Sequence, residues 1–212
     1  MSASPAGPSR TRERLLSRSG YRLVAGVDEV GRGPLAGPVV AAAVILPPQW
    51  SVQGVNDSKR LDHRRRRTLS AAIKREALAW AVAAASPQEI DRINIHRASL
   101  LAMRRAVNTL APSPDYLLVD GRFVLDMDLP QEAVVGGDGS CTAVAAASIL
   151  AKVERDAVMQ AMHWIWPQYN FASNKGYGTE EHRRALVECG PCPLHRRSYA
   201  PVAQRQLGLG LG

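Results

Sequence analysis

The chain has 212 residues, with 27 Lys and Arg against 19 Asp and Glu, a net charge of +8. Hydrophobic residues at 46% and charged residues at 22% are ordinary globular values and exclude disorder throughout. No apolar run reaches the ~18 residues of a membrane span, since the longest, residues 35–46, is interrupted by Gly37 and Pro38.

Residues 1–20 are rich in Ser, Pro, Gly and Arg and read as a flexible arm holding a small helix at 12–17. Residues 21–30 form a strand in which Leu23, Ala25 and Val27 alternate before an acidic pair, Asp28 and Glu29. A Gly- and Pro-rich turn, 31–38, leads to the continuous apolar run 39–46, as expected for a strand covered on both faces. After a loop at 52–61, a basic helix (62–79) merges into the apolar stretch 77–85.

Ser86-Pro-Gln-Glu89 is a helix start with Ser as N-cap, Pro at N1 and Glu at N3. The helix runs to Leu110, and 111–114 break it. Residues 116–119 read as a buried strand ending in Asp120-Gly121, and 133–135 as an edge strand. A Gly-rich loop (136–139) and a long Ala-rich helix (142–162) follow, then a loop (167–178), a helix (179–188), a second loop and a tail from Gln204. Early strands followed by alternating helices and short strands describe an α/β fold with a helical C-terminal region.

The candidate chemistry is acidic. In open α/β sheets ligands bind beyond strand ends, and two strands here deliver carboxylates to their ends: Asp28 with Glu29, and Asp120. Successive strand residues point to opposite faces, so Asp28 and Glu29 are expected to converge only if the strand ends between them, which Gly31 permits. Asp138, in the Gly-rich loop, is a fourth candidate. Crowded carboxylates call for a cation, and all-oxygen donors select Mg²⁺ or Mn²⁺. Two such ions ~4 Å apart suit phosphodiester cleavage.

Only Lys59, Lys74, Lys152 and Lys175 are lysine, which leaves 23 arginines suited to a polyanionic partner. Gly31-Arg32-Gly33 beside the acids permits close backbone approach to a ligand, and Lys175-Gly-Tyr177-Gly suits stacking of Tyr177 with Lys175 at a phosphate. Three alternatives are weaker. Gly31, Gly33 and Gly37 make a poor dinucleotide fingerprint, because Pro34 lacks an amide donor. Cys189-Gly-Pro-Cys192 follows a helix instead of a strand, which argues against a redox pair, and lacks ligands for zinc. His63, His96 and His163 read as surface or helix-face residues, and Trp50, Trp80, Trp164 and Trp166 as core. The three cysteines, odd in number, fit a reducing, cytoplasmic location.

Ala25-Gly-Val-Asp-Glu-Val-Gly-Arg-Gly-Pro-Leu-Ala-Gly-Pro-Val-Val40 resembles the opening motif of the bacterial ribonuclease HII family. The likeness continues through Asn56-Asp-Ser-Lys-Arg-Leu61, Ile90-Asp-Arg-Ile-Asn-Ile95, Val119-Asp-Gly121 and Gly137-Asp138. It runs on through Ala145-Ala-Ala-Ser-Ile-Leu-Ala-Lys-Val153, Lys175-Gly-Tyr-Gly-Thr179 and His195-Arg-Arg-Ser-Tyr199.

The resemblance implies an RNase H-like mixed five-stranded sheet flanked by helices, with a catalytic domain at 21–203 between the arm and a flexible tail. It implies a Mn²⁺- or Mg²⁺-dependent endoribonuclease that cuts 5′ to ribonucleotides, in RNA–DNA hybrids and at single ribonucleotides in duplex DNA, leaving 3′-hydroxyl and 5′-phosphate ends. Asp28, Glu29, Asp120 and Asp138 map onto the family's metal-holding acids. Gly31, Arg32 and Gly33 would sense the 2′-hydroxyl, Tyr177 would pack on the sugar, and Lys59, Ser148 and Lys175 would complete substrate binding. Gly136, Asn174 and Tyr199 stand where the family often has Lys, His and Phe. The tail lacks the aromatic pair that docks on sliding clamps, and a monomer is expected.

Overall fold

The computed structural model describes residues 7–50, 54–55 and 61–206. Val39–Ile45 (β2) is buried along its whole length, so it needs cover on both faces and a neighbour at each edge. It obtains all of these. The five-stranded sheet has the order β3-β2-β1-β4-β5, with β1 (Val24–Val30), β3 (Ala79–Ala85), β4 (Tyr116–Asp120) and β5 (Gln131–Val134). β2 is antiparallel to β1 and β3, whereas β4 is parallel to β1 and β5, which makes the sheet mixed.

Alternation along the strands divides the core in two. Val24, Val40, Ala42, Val44 and Leu118 pack beneath α5 (Thr142–Ile165), with α2 (His63–Glu76) beside it and Leu16 of α1 (Thr11–Arg18) at the margin. Ala25, Val27, Val39, Ala43, Ile45 and Val119 pack against α3 (Pro87–Thr109) on the other face. The alanines of α5 let it lie unusually close to β1. A Cβ on Gly26 would sit 2.1 Å from the Ala143 carbonyl carbon, so no side chain fits there. A third cluster, around Tyr169, Phe171, Leu186 and Val202, joins the end of α5 to α6 (Phe171–Asn174), α7 (Glu180–Cys189) and α8 (Ala200–Gln206).

Several boundaries differ from the sequence reading. The first strand starts at Val24, because the Asp115 carboxylate takes the Arg22 and Leu23 amides at 2.7 and 2.9 Å. The basic helix, capped by Asp62, stops at Glu76, and the alanine-rich stretch after it is β3. Pairing with the buried β2 overrides the helix preference of alanine. The glycine-rich loop contains a one-turn helix, α4 (Gly137–Ser140), and α8 occupies the stretch read as the second loop and the start of the tail. The capping box of Ser86 and Glu89 is present as read. Of the tryptophans read as core, Trp50 is buried, but Trp164 is 78% exposed and Trp80 lies on the open side of edge strand β3 beneath Lys74. Among the described residues no helix is long and apolar enough to cross a membrane.

Candidate active site

Asp28 and Glu29 are carried by the central strand, and Val27 of β1 lies opposite Val119 of β4. One residue further along each strand stand Asp28 and Asp120. Oxygens of Asp28, Glu29 and Asp120 lie within 4.8 Å of one another, so the three acids meet as expected.

The route to convergence is different. β1 does not end between Asp28 and Glu29; its pairing with β2 continues through Glu29↔Ala41 and Val30↔Val40. Asp28 therefore faces α5 and Glu29 faces α3. They meet because the parallel neighbour β4 stops at Asp120, opening the sheet edge, around which the longer Glu29 side chain reaches.

These acids form part of a cavity of about 340 Å³ that Gly31, Arg32, Gly33, Asp138, Ser148, Lys152 and Tyr177 also line. Asp138, on α4, lies outside the tight trio. The Gly137 amide donates to Asp120 Oδ1 at 2.7 Å and fixes that carboxylate. Burial holds the Asp28 carboxyl well above the usual carboxylate range, with repulsion from Glu29 and Asp120 adding to the effect, while a hydrogen bond with Ser148 opposes it. Glu29 is also raised, chiefly by burial; the Arg32 guanidinium, 3.2 Å away, pulls the other way. Asp28 and Glu29 resist ionisation beside Asp120, and three neighbouring carboxylates offering only oxygen fit a hard divalent cation.

The Gly31-Arg32-Gly33 segment is held from behind. Arg196, fully buried, donates to the carbonyls of Gly31 (2.5 Å), Arg32 (2.8 Å) and Gly37 (3.0 and 2.9 Å). The Tyr199 hydroxyl, which a Phe would lack, donates to Arg32 O at 2.6 Å. Arg155, also fully buried, donates to Pro38, Lys175 and Ala36 carbonyls and ties this turn to the Tyr177 loop. Gly31 has φ +96°, and a Cβ on it would strike Arg155 Nε at 2.2 Å, so glycine is required on both counts. With the carbonyls drawn back, the Arg32 and Gly33 amides have no acceptor among the described residues.

Tyr177 stands 48% exposed at the cavity wall across from Gly33. Lys175 takes another path: its ammonium donates to the Ala172 carbonyl at 2.6 Å and does not line the cavity. Asn174 is buried and ties the same loop, donating to Tyr169 O and accepting from the Gly176 amide. Lys59 lies outside the described residues.

Sequence reasoning missed Lys152, Arg155 and Arg196 as parts of the site, and His96, which lines a recess beside Glu29. Lys152 was within reach, because it follows Ser148 by four residues and so shares its helix face. Cys189 and Cys192 are free thiols, exposed and buried respectively.

The ribonuclease HII family model matches residues 25–202. A ribonuclease HII from Pelotomaculum thermopropionicum is 57% identical over 192 residues, covering 90% of this chain and 72% of the relative. One from Moorella thermoacetica is 54% identical over 187 residues, covering 88% and 91%. The crystal structure of ribonuclease H2 from Pyrococcus horikoshii superposes with a TM-score of 0.75 at 25% identity, covering 87% of this chain and 97% of that one. A match running from the acids of β1 to the start of α8 leaves one assignment: the chain belongs to the ribonuclease HII family, with ribonuclease H activity.

Proposed function

We propose that the chain hydrolyses the phosphodiester 5′ to a ribonucleotide, both in RNA–DNA hybrids and at single ribonucleotides embedded in duplex DNA. The products carry 3′-hydroxyl and 5′-phosphate ends, and the role is removal of ribonucleotides from DNA in the cytoplasm. The observation that carries this reading is the meeting of Asp28, Glu29 and Asp120 within 4.8 Å, in a cavity shared with Gly31-Arg32-Gly33 and Tyr177.

Asp28, Glu29 and Asp120 would hold Mg²⁺ or Mn²⁺, with Asp138 completing the shell of a second ion. When bound, these ions supply an activated water and stabilisation of the leaving oxygen. The chain's own residues do the rest. The Arg32 and Gly33 amides, which have no acceptor among the described residues, meet the 2′-hydroxyl that separates RNA from DNA at one site. Tyr177 packs on the sugar to the 3′ side. Lys152, oriented by Asp156 at 2.7 Å, and Ser148 face the phosphate, with Lys59 and Lys175 as further substrate-binding candidates. The catalytic unit in this reading is 21–203, acting as a monomer.

The test is to map the cleavage position on duplex DNA carrying one ribonucleotide, beside an all-RNA strand paired with DNA. Wild type cuts both on the 5′ side, and Asp120→Asn binds both and cuts neither. Full activity of Asp120→Asn, or of wild type in EDTA, overturns the mechanism. Binding without cleavage in both metals overturns the reading itself.

A further inference from the structure

The carboxylates occupy one end of β1, and a second cavity lies at the other. It measures about 270 Å³, is lined by Arg10, Arg14, Arg18 and Arg22 together with Glu13 and Tyr21, and has Val24 and Ala143 in its wall. Val24 and Asp28 are four residues apart on one face of β1, which separates the two cavities by roughly 13 Å along the strand.

The arginines of α1 and its flanks fall into two groups. Arg12 pairs with Glu132 of β5 at 2.5 Å. Arg14, Arg18 and Arg22 line the cavity, and none has an acidic partner among the described residues. Arg10, Arg14 and Arg18 recur every four residues, or ~6 Å along the helix. That is a row of cations, which suits a line of phosphates better than a single ion.

Polar groups also lie behind the wall of the cavity. Glu13 is 6% exposed; its Oε1 accepts the Ala143 amide at 3.0 Å, and the Cys141 thiol lies against the same carboxylate. Arg10 donates through Nη1 to the Pro47 and Pro48 carbonyls, and its buried Nε is unpartnered. Buried polar atoms are ordinarily paired. Glu13 is withdrawn from solvent, so the open face of the cavity is cationic and suits the phosphates of a strand.

We propose that this cavity is a second nucleic-acid contact. It takes the strand running on from the carboxylate cavity, with successive phosphates on Arg14, Arg18 and Arg22. The inference rests on the reading of the chain as acting on nucleic acid. Its test is a binding measurement without divalent metal, so it stands or falls separately from cleavage.

Anisotropy is measured on two labelled duplexes with one ribonucleotide each, one just covering the carboxylate cavity and one longer by a helical turn. Wild type and Arg14→Ser/Arg18→Ser are compared; neither side chain donates a hydrogen bond within the described residues, so the melting temperature should hold. On the longer duplex the variant should bind about tenfold more weakly, and its slope of log K against log salt should shrink by about 2, close to 0.9 per lost phosphate contact. On the shorter duplex the two proteins should agree. Equal affinity and slope on the longer duplex overturn the proposal, as does an equal loss on both duplexes with a lowered melting temperature. Displacement of the longer duplex by adenosine monophosphate, abolished in the variant, would assign the cavity to a free nucleotide instead and overturn the strand version. Absence of cleavage by wild type in Mn²⁺ would sink the nuclease reading and leave the binding difference standing.

Discussion

The Nε2 atoms of His182 and His195 lie 2.9 Å apart in the buried cluster behind the Tyr177 loop. Their neighbours fix the protons. His182 Nδ1–H donates to the Tyr177 carbonyl at 2.8 Å, so its Nε2 is the acceptor; His195 Nε2–H donates to it, and His195 Nδ1 accepts the Cys192 amide at 3.0 Å. In this arrangement both rings are neutral, and a proton on His195 Nδ1 would exchange the Cys192 amide bond for a longer one to the Cys192 carbonyl, 3.3 Å away.

Acid should therefore break it. Burial and the nearby His182 push His195 down to about 4 from its ordinary 6.5, and burial lowers His182 too. A depressed histidine contributes stability that is full above its unfolded value and is lost as pH falls from 6.5 towards 4. Denaturant unfolding across that window should show a loss of about 3 kcal/mol, reduced in His195→Asn. A flat profile would mean that the pair is already charged or solvated.

The carboxylates have the opposite sign. Asp28 and Glu29 are raised, so their contribution is full below the ordinary carboxylate range and is lost as pH rises through the raised values. Above about pH 6.5, where the histidine pair no longer titrates, metal-free protein should melt lower as pH rises, and Mn²⁺ should restore more stability at about pH 8 than at about pH 5. In Asp28→Asn the Mn²⁺ increment should disappear; an undiminished increment would place the ion elsewhere.

Tyr177 offers a ring at the wall of the cavity, and its phenol oxygen has no hydrogen bond among the described residues. Tyr177→Phe should keep KM within about twofold, while Tyr177→Ala should raise it about tenfold, as expected for ~1–3 kcal/mol of stacking. Steady-state kinetics on a single-ribonucleotide duplex decide this, and equal effects of the two variants would assign the role to the hydroxyl.

Arg196→Met should strip the Gly31, Arg32 and Gly37 carbonyls of their shared donor and cost about 3 kcal/mol or more. Tyr199→Phe removes two bonds, one to the Arg32 carbonyl and one from Arg196 Nη1, and should cost about 2 kcal/mol. Urea unfolding ranks the two. A near-neutral Arg196→Met would show that water replaces the guanidinium.

The trio of acids was legible because strand ends are visible in hydropathy, and Asp28, Glu29 and Asp120 stand at two of them. The path that joins them was not, since it depends on where β4 stops beside β1, and no local pattern in 21–30 records that. Arg155 and Arg196 were illegible for a related reason. An arginine in sequence reads as surface charge, and only the assembled fold shows two of them enclosed among backbone carbonyls. The basic helix reads three residues too long, to 79, because the alanines that follow carry no stop signal, and pairing with β2 makes 79–85 a strand. Lys175 was legible as part of a loop motif, but the bond of its ammonium to the Ala172 carbonyl was not, since that depends on how the loop turns back on α6.

Arg196 and Gly31 are 165 positions apart, so the bond between them waits for nearly the whole chain to be synthesised. All four acids are made well before it. A nascent chain halted short of Arg196 could carry every carboxylate while the Gly31 and Arg32 carbonyls still hang untethered. The order of translation thus delivers the reactive groups first and the brace that shapes their surroundings last, which makes premature termination in this region a way to produce a folded sheet with an unfinished cleft.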